Sequence, residues 1–148
     1  MKSINQMKIS FKSLSVNEGF ARVAVASFIS SLDPTTVEIA DIKTAVSEAV
    51  TNAIVHGYRD IVGTVHIRCV LSGGTVTVTV SDKGCGIRDI PLARTPLYTG
   101  VPGTERSGLG FTVMETFMDS LEVLSTPGEG TVVTMWKRIV AEREAACV

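Results

Sequence analysis

The sequence predicts an α/β fold: a two-layer sandwich with about three helices covering one face of a mostly antiparallel mixed sheet. Three observations predict it. Residues 65–80 and 121–139 each read as two alternating apolar segments folded about a glycine-bearing turn, the pattern of a β-hairpin. Two stretches nearer the N-terminus carry apolar residues at helical spacing. The element order is strand, helix, helix, hairpin, long loop, helix, hairpin, which leaves the helices to bury one face of the sheet.

In order, Met7, Ile9 and Phe11 alternate with Lys8, Ser10 and Lys12, giving a half-buried strand. Ser15 and Glu18 have the spacing of a capping box, and Phe20, Val23, Ala24 and Phe28 continue as a helix with Arg22 off the stripe. Asp33-Pro34 opens a second helix, a cap followed by proline at the first helical position. Ile39, Ile42, Val46, Val50 and Ala53 form its buried stripe, and Gly57 is the expected stop after His56. Val65, Ile67 and Cys69, then Val76, Val78 and Val80, alternate about Ser72-Gly73-Gly74. Residues 88–106 have no clean period and hold several prolines and glycines. A connection of that length is commonly a lid or binding loop. A helical run follows through Phe111, Val113, Met114, Phe117 and Met118. Leu121, Val123 and Ser125 then alternate into the turn Pro127-Gly128-Glu129-Gly130, and the strand from Thr131 to Ile139 closes the fold.

The 148 residues suit a single domain, 1–148, with a flexible tail from about 141. A chain of this size buries roughly 68–70% of its unfolded surface. The 14 lysines and arginines nearly balance 15 acidic residues, which excludes a broad basic footprint for nucleic acid or anionic membrane. Cys69, Cys85 and Cys147 have no metal-ligand spacing and read as free thiols in a reduced, cytoplasmic compartment. No apolar run approaches ~18 residues, and the N-terminus lacks the layout of a signal peptide. His56 and His66 have no further ligand candidate near them in sequence, so a capping or surface role is expected of them.

Three pieces carry chemistry. Glu48 and Asn52 lie one turn apart on a helix face, a proton acceptor beside an amide oxygen able to bind a hard cation. Ala45, Ala49 and Ala53 leave room for a ligand near that face. Many solvated helix faces share this spacing, so its weight comes from the glycine-rich segments. Asp82 continues the apolar period of its strand, so its carboxylate points toward the helices. Burying it unpaired is costly, the sequence puts no basic residue beside it, and a ligand with N–H groups would fill the gap. Asp82-Lys83-Gly84-Cys85-Gly86-Ile87 is the first glycine-rich segment. Ser107-Gly108-Leu109-Gly110-Phe111 is the second, and it enters a helix where backbone N–H groups can approach phosphate.

Glu48…Asn52, Asp82-x-Gly84-x-Gly86, Ser107-Gly108-Leu109-Gly110-Phe111 and Gly130-Thr131, in this order, resemble the Bergerat-fold ATPases. That superfamily includes gyrase B subunits, a heat-shock chaperone, histidine kinases and mismatch-repair ATPases. The stretches Ser47 to Tyr58 and Glu105 to Glu115 look closer still to the anti-sigma F factor family of endospore-forming bacteria, whose members inhibit a sigma factor and act as serine protein kinases. The resemblance runs from about residue 5 to 140.

It implies a role for each matching residue. Asn52 would hold Mg2+ at the phosphates of ATP or ADP, and Glu48 would be the general base for a serine hydroxyl. Asp82 would accept from the adenine amino group, Gly86 would leave room for the base, and Thr131 would support Asp82 or a water beside it. Gly108 and Gly110 would cradle phosphate. Gly84, Ser107 and Leu109 stand in the same motifs as nucleotide-binding positions. Arg106 would meet the terminal phosphate, and Arg22 would contact protein partners. The implied partners are a sporulation sigma factor of the sigma F type, an anti-anti-sigma protein as substrate, and a second copy of the chain in a homodimer. A general stress-response anti-sigma kinase and an ATP-gated binding switch without kinase activity remain open. A histidine-kinase module would need a helical hairpin bearing a phospho-accepting histidine, whereas here a strand precedes the first helix and His56 ends the site helix.

Overall fold

A computed structural model of the chain describes residues 4–96 and 110–139. The first alternating segment is β1 (Asn5–Lys12). Helix α1 (Asn17–Ile29) buries Ala21, Val25 and Ile29. The capping box expected from Ser15 and Glu18 does not form. Val16 occupies the cap position with helical backbone angles (φ −61°, ψ −25°) and no side-chain bond, whereas a side-chain cap needs extended backbone there. The Ser15 carbonyl accepts from the Glu18 N–H at 3.2 Å, and the Glu18 carboxylate pairs with Arg22 at 3.1 Å.

The second helix also starts later than expected. Asp33 adopts φ 54° and closes a short 3-10 turn, Ser30–Leu32. The cap of α2 (Thr36–Asn52) is Thr35, in a reciprocal box with Glu38. The Glu38 N–H donates to Thr35 Oγ1 at 3.1 Å, and the Thr35 N–H donates to Glu38 Oε1 at 2.8 Å. Pro34 therefore precedes the cap and is not the first helical residue. Ile42, Ala45, Val46 and Val50 of α2 are fully buried, and Ile39 packs against them half-buried. Beyond Asn52 the chain widens into a π-helical turn, Ala53–Tyr58. The left-handed residue that ends it is Arg59 (φ 53°), not Gly57.

Strands β2 (Thr64–Ser72) and β3 (Thr75–Asp82) form the expected hairpin. Its turn uses positive φ at Gly73 (59°) and Gly74 (81°), the requirement of a two-residue hairpin loop. A short helix, α3 (Ile90–Ala93), stands at the start of the predicted lid. Its cap is Asp89, which accepts from the Leu92 N–H at 3.1 Å. Helix α4 (Gly110–Phe117) is followed by β4 (Ser120–Thr126) and β5 (Gly130–Arg138).

The five-stranded sheet has the order β1-β2-β3-β5-β4. All four pairings are antiparallel, so the sheet expected to be mixed runs antiparallel throughout the described residues. Val65, Ile67, Cys69, Val76, Val78, Val80, Val133 and Met135 point from one face into a single core with Val25, Val46, Val50 and Met114 of the helices. An ion pair between Lys137 and Asp41 (3.6 Å) ties β5 to α2. His66 bonds Ser10 Oγ through Nδ1 at 2.9 Å across β1 and β2. Among the described residues no helix is long and apolar enough to cross a membrane. The tail predicted from about 141 and the later part of the 88–106 loop lie outside the described residues.

Candidate functional site

The register of the central strands assembles the site. Asp82, the last residue of β3, stands opposite Thr131 on β5, and Thr131 stands opposite Ser125 on β4. The strand period turns Asp82 and Thr131 inward, each about 8% exposed. Asp82 accepts from the Gly84 N–H at 2.8 Å. Burial pushes its carboxyl above the ordinary value of 3.8, while the backbone N–H groups of Gly84 and Thr131 draw it down. Desolvation wins, so burial disfavours the ionised carboxylate and a further donor reaching it would stabilise that form.

Around Asp82 the backbone comes in close. A Cβ on Gly57 would stand 2.9 Å from the Asp82 carboxyl, and one on Gly84 would stand 2.2 Å from the Gly57 carbonyl oxygen. Gly57 is therefore required by close approach to the carboxylate, a role the sequence reading gave instead to helix termination. Gly84 lets the Cys85 N–H reach the Gly57 carbonyl at 2.9 Å. Gly86 has φ 75°, and a Cβ there would meet the Thr126 carbonyl oxygen at 2.3 Å. Tyr58 holds the other side: its hydroxyl donates to the Thr64 carbonyl at 2.6 Å and accepts from the Lys83 N–H at 2.8 Å.

These elements enclose a cleft of about 610 Å³. Asn52, Ala49 and Ala53 line it from α2 and the turn beyond, Asp82, Gly86 and Thr131 from the sheet end, and Gly110 and Phe111 from α4. Ala45 is not among them; it is fully buried in the core. The Asn52 amide lies against Gly110, where a Cβ would come within 3.0 Å of Nδ2 and 3.1 Å of Oδ1. Ile87, Leu92 and Val133 add apolar walls, and Arg59 and Arg88 also line the cleft. An apolar slot with a buried acceptor at one end and an amide oxygen elsewhere on its wall suits a flat base carrying an amino group, attached to a polar chain.

Glu48 is placed differently. It borders a neighbouring groove of about 380 Å³ with Arg22, Lys43, Thr44 and Ser47. In that groove the Arg22 guanidinium lies 3.1 Å from Glu18 and 3.5 Å from Ser47 Oγ. The structure thus brings Asn52, Asp82, Gly86, Gly110 and Thr131 into one cleft, with Gly84 buttressing it. It puts Glu48 and Arg22 together one helical turn away. Arg106, Ser107, Gly108 and Leu109 lie outside the described residues.

The sequence reading missed Ser125. Its hydroxyl accepts from the Ile87 N–H at 2.7 Å, donates to the Gly130 carbonyl at 2.9 Å and lies 2.9 Å from Thr131 Oγ1. The available signal was a serine on the inward period of Leu121 and Val123, beside the turn that precedes Thr131.

The family described as histidine kinase-like ATPase domain matches residues 13–137. The chain is 54% identical over 143 residues to an anti-sigma F factor of Thermoanaerobacter sp. (strain X514), covering 97% of this chain and all 100% of that one. It is 59% identical over 136 residues to an anti-sigma F factor of Clostridium novyi (strain NT), covering 91% and 95% of the two chains. Among solved structures, the RsbU and RsbW domains of a Mycobacterium tuberculosis protein superpose with a TM-score of 0.66 at 23% identity, over 91% of this chain and 32% of that one. The histidine kinase domain of the Erythrobacter litoralis EL346 blue-light activated histidine kinase gives 0.54 at 22% identity, over 86% and 63%. At these identities the two structures share the fold.

Proposed function

The chain belongs to the anti-sigma F factor family of histidine kinase-like ATPases, and from that premise we propose a two-part activity. It holds a sigma factor of the sigma F type away from RNA polymerase, and it transfers the γ-phosphoryl of ATP to a serine of its anti-anti-sigma antagonist. It works in the cytoplasm as a homodimer. Phosphorylation of the antagonist ends its competition for the sigma-binding surface.

The residues present fit an adenine nucleotide. Asp82 is a buried acceptor whose ionised form burial disfavours, the glycines around it leave no space for side chains, and Asn52 turns an amide into the same cleft. In this reading Asp82 takes a hydrogen bond from the adenine amino group, and Val80, Ile87 and Val133 supply apolar surface for the ring. Mg2+, when bound, neutralises phosphate charge and is held through Asn52. Arg106, Ser107, Gly108 and Leu109 are the expected phosphate contacts, joined by Gly110. Transfer of this kind needs positioning and charge neutralisation more than a protein nucleophile.

The observation that carries the reading is the joint between cleft and groove on α2. Asn52 lines the cleft, and Glu48, one turn earlier, lines the groove with Arg22. A partner serine docked at Arg22 would present its hydroxyl to Glu48. Glu48 takes the serine proton as the new O–P bond forms, and the bond from the γ-phosphorus to the ADP oxygen breaks.

Incubating the chain with radiolabelled ATP and the serine-bearing antagonist tests this. Glu48→Gln should lower phosphorylation roughly 10²–10⁴-fold while ATP still binds. Undiminished transfer would remove Glu48 from the base role. A second reading is an ATP-gated binding switch with no transferase activity. The absence of label on the antagonist with the unaltered chain would select that one.

A further inference from the structure

We propose that Ser125 is a positioning residue for purine selection, acting through Thr131 to make the inner end of the cleft accept hydrogen bonds and donate none. The proposal rests on the adenine-nucleotide reading of the cleft and names what sets its base preference.

The argument is a count of protons. A serine hydroxyl has one proton to give and two lone pairs to receive with. The Ile87 N–H, 2.7 Å from Ser125 Oγ, can only donate. The Gly130 carbonyl, 2.9 Å away, can only accept. These two fixed backbone partners commit the Ser125 proton to Gly130. Thr131 Oγ1 lies 2.9 Å from the same oxygen, so that bond forms only if Thr131 donates. The one proton of Thr131 is then spent on Ser125, and lone pairs are what its oxygen has left for the cleft it lines. Asp82, its register partner, presents carboxylate oxygens, which are acceptors at neutral pH.

Three neighbouring strands thus make a polar row, Asp82, Thr131 and Ser125, whose cleft-facing side takes donors. An exocyclic amine meets it with donors. A carbonyl at the same ring position meets acceptors with an acceptor, and that repulsion disfavours 6-oxopurines, whose nearest donor is the N1–H one ring position away. Without the Ser125 hydroxyl, Thr131 regains a free proton. It can then turn to donate, and the row becomes permissive. The same hydroxyl pins Ile87 of the glycine segment against β4, so Ser125 also sets the height of that wall above the base.

The test measures ATP and ITP affinity by calorimetry, since the two differ only along one ring edge, in the amine or carbonyl at position 6 and the acceptor or N–H at N1. The unaltered chain should prefer ATP strongly. Ser125→Ala should narrow the ATP:ITP ratio about tenfold, the effect of one hydrogen bond changing sign. Ser125→Thr, which keeps the hydroxyl, should restore it. In a Thr131→Val background Ser125→Ala should change the ratio no further, which checks the relay without relying on a single variant. A purely structural role would weaken both nucleotides equally. An unchanged ratio in Ser125→Ala, or a narrowed ratio in Ser125→Thr, would overturn the proposal. An unaltered chain that binds neither nucleotide would overturn the adenine reading beneath it, a different and recognisable failure.

Discussion

Replacing Asp82 by Asn separates the demands of the site from those of the fold, because the two should move in opposite directions. The proposed bond from the adenine amine to the carboxylate is a hydrogen bond to a charged group, worth about 1.5–3 kcal/mol. Its loss should raise the dissociation constant for ATP about 10- to 150-fold. The fold should respond the other way. Burial raises the Asp82 carboxyl pKa above 3.8, so the ionised group is less favourable in the folded chain than in the unfolded one. Its contribution to stability is greatest below 3.8 and is lost as pH rises through the folded value. Asn carries no charge to bury, and its carbonyl oxygen can still accept from the Gly84 N–H. Without nucleotide, Asp82→Asn should therefore melt at the same temperature as the parent or higher at pH 7, and should lack the part of the parent's stability that falls as pH rises above 3.8. Calorimetry with ATP and thermal melts from pH 3 to 8 measure both. Equal ATP affinity would refute the adenine assignment, and a large fall in melting temperature would show that the carboxylate is structural.

Gly57→Ala tests the close approach to the same group. Alanine should gain about 1 kcal/mol of helix propensity and lose about 1–3 kcal/mol to overpacking, because its Cβ would stand 2.9 Å from the Asp82 carboxyl. A weaker ATP complex at equal or lower stability is expected, whereas a more stable protein with full affinity would contradict the packing. Cys69 is fully buried, and burial pushes its thiol from 9.0 up to about 12. Stability should hold below pH 9 and be lost as pH rises toward 12, by at most about 4 kcal/mol. Urea melts of Cys69→Val should show a shallower alkaline loss than the parent, and identical slopes would count against it. Arg22→Glu breaks a surface pair with Glu18 worth about 0.3–0.5 kcal/mol, so the fold and ATP affinity should hold while sigma-factor binding weakens. Full retention of the sigma factor on a column carrying that variant would remove Arg22 from the partner surface.

The residues that could be read from sequence are those governed by short periods. Asp82 was placed on the inner face because Val76, Val78 and Val80 set a two-residue rhythm that the strand keeps to its last residue. Asn52 followed from the 3.6-residue rhythm of α2. What escaped depends on contacts between distant segments. Nothing near Gly57 in sequence reveals that Asp82 lies against it, so helix termination was the only local explanation available. Ser125 reads as one more alternating residue until the β4–β5 register sets it beside Thr131. The helix starts went astray for a local reason. Ser15 and Asp33 are both good capping residues, but a cap is chosen by backbone angles. Val16 is already helical and Asp33 is left-handed, which left Thr35 the extended conformation that a cap requires.

The division of labour within the cleft follows from which elements build each end. The base end is the rim of an antiparallel sheet, with Asp82 held by Gly84, Thr131 by Ser125, and Ser125 by two backbone partners. Moving any of these means breaking a ladder whose register buries the core, so the end proposed to take the base is held in place by the sheet. Asn52 and Glu48 share a single helix anchored by Ile42, Val46 and Val50. Four residues of helix rise about 6 Å, which sets the offset along the helix axis between the cleft and the Arg22 groove. In the proposed transfer the partner serine reaches across that offset to the γ-phosphorus, with Glu48 beside its hydroxyl. Because a packed helix shifts as a unit, a partner pressing on the groove at Arg22 and Ser47 would bear on the helix that carries Asn52. Arg22→Glu should then abolish any effect of the sigma factor on ATP affinity. It should do so while leaving the nucleotide affinity of the isolated chain untouched.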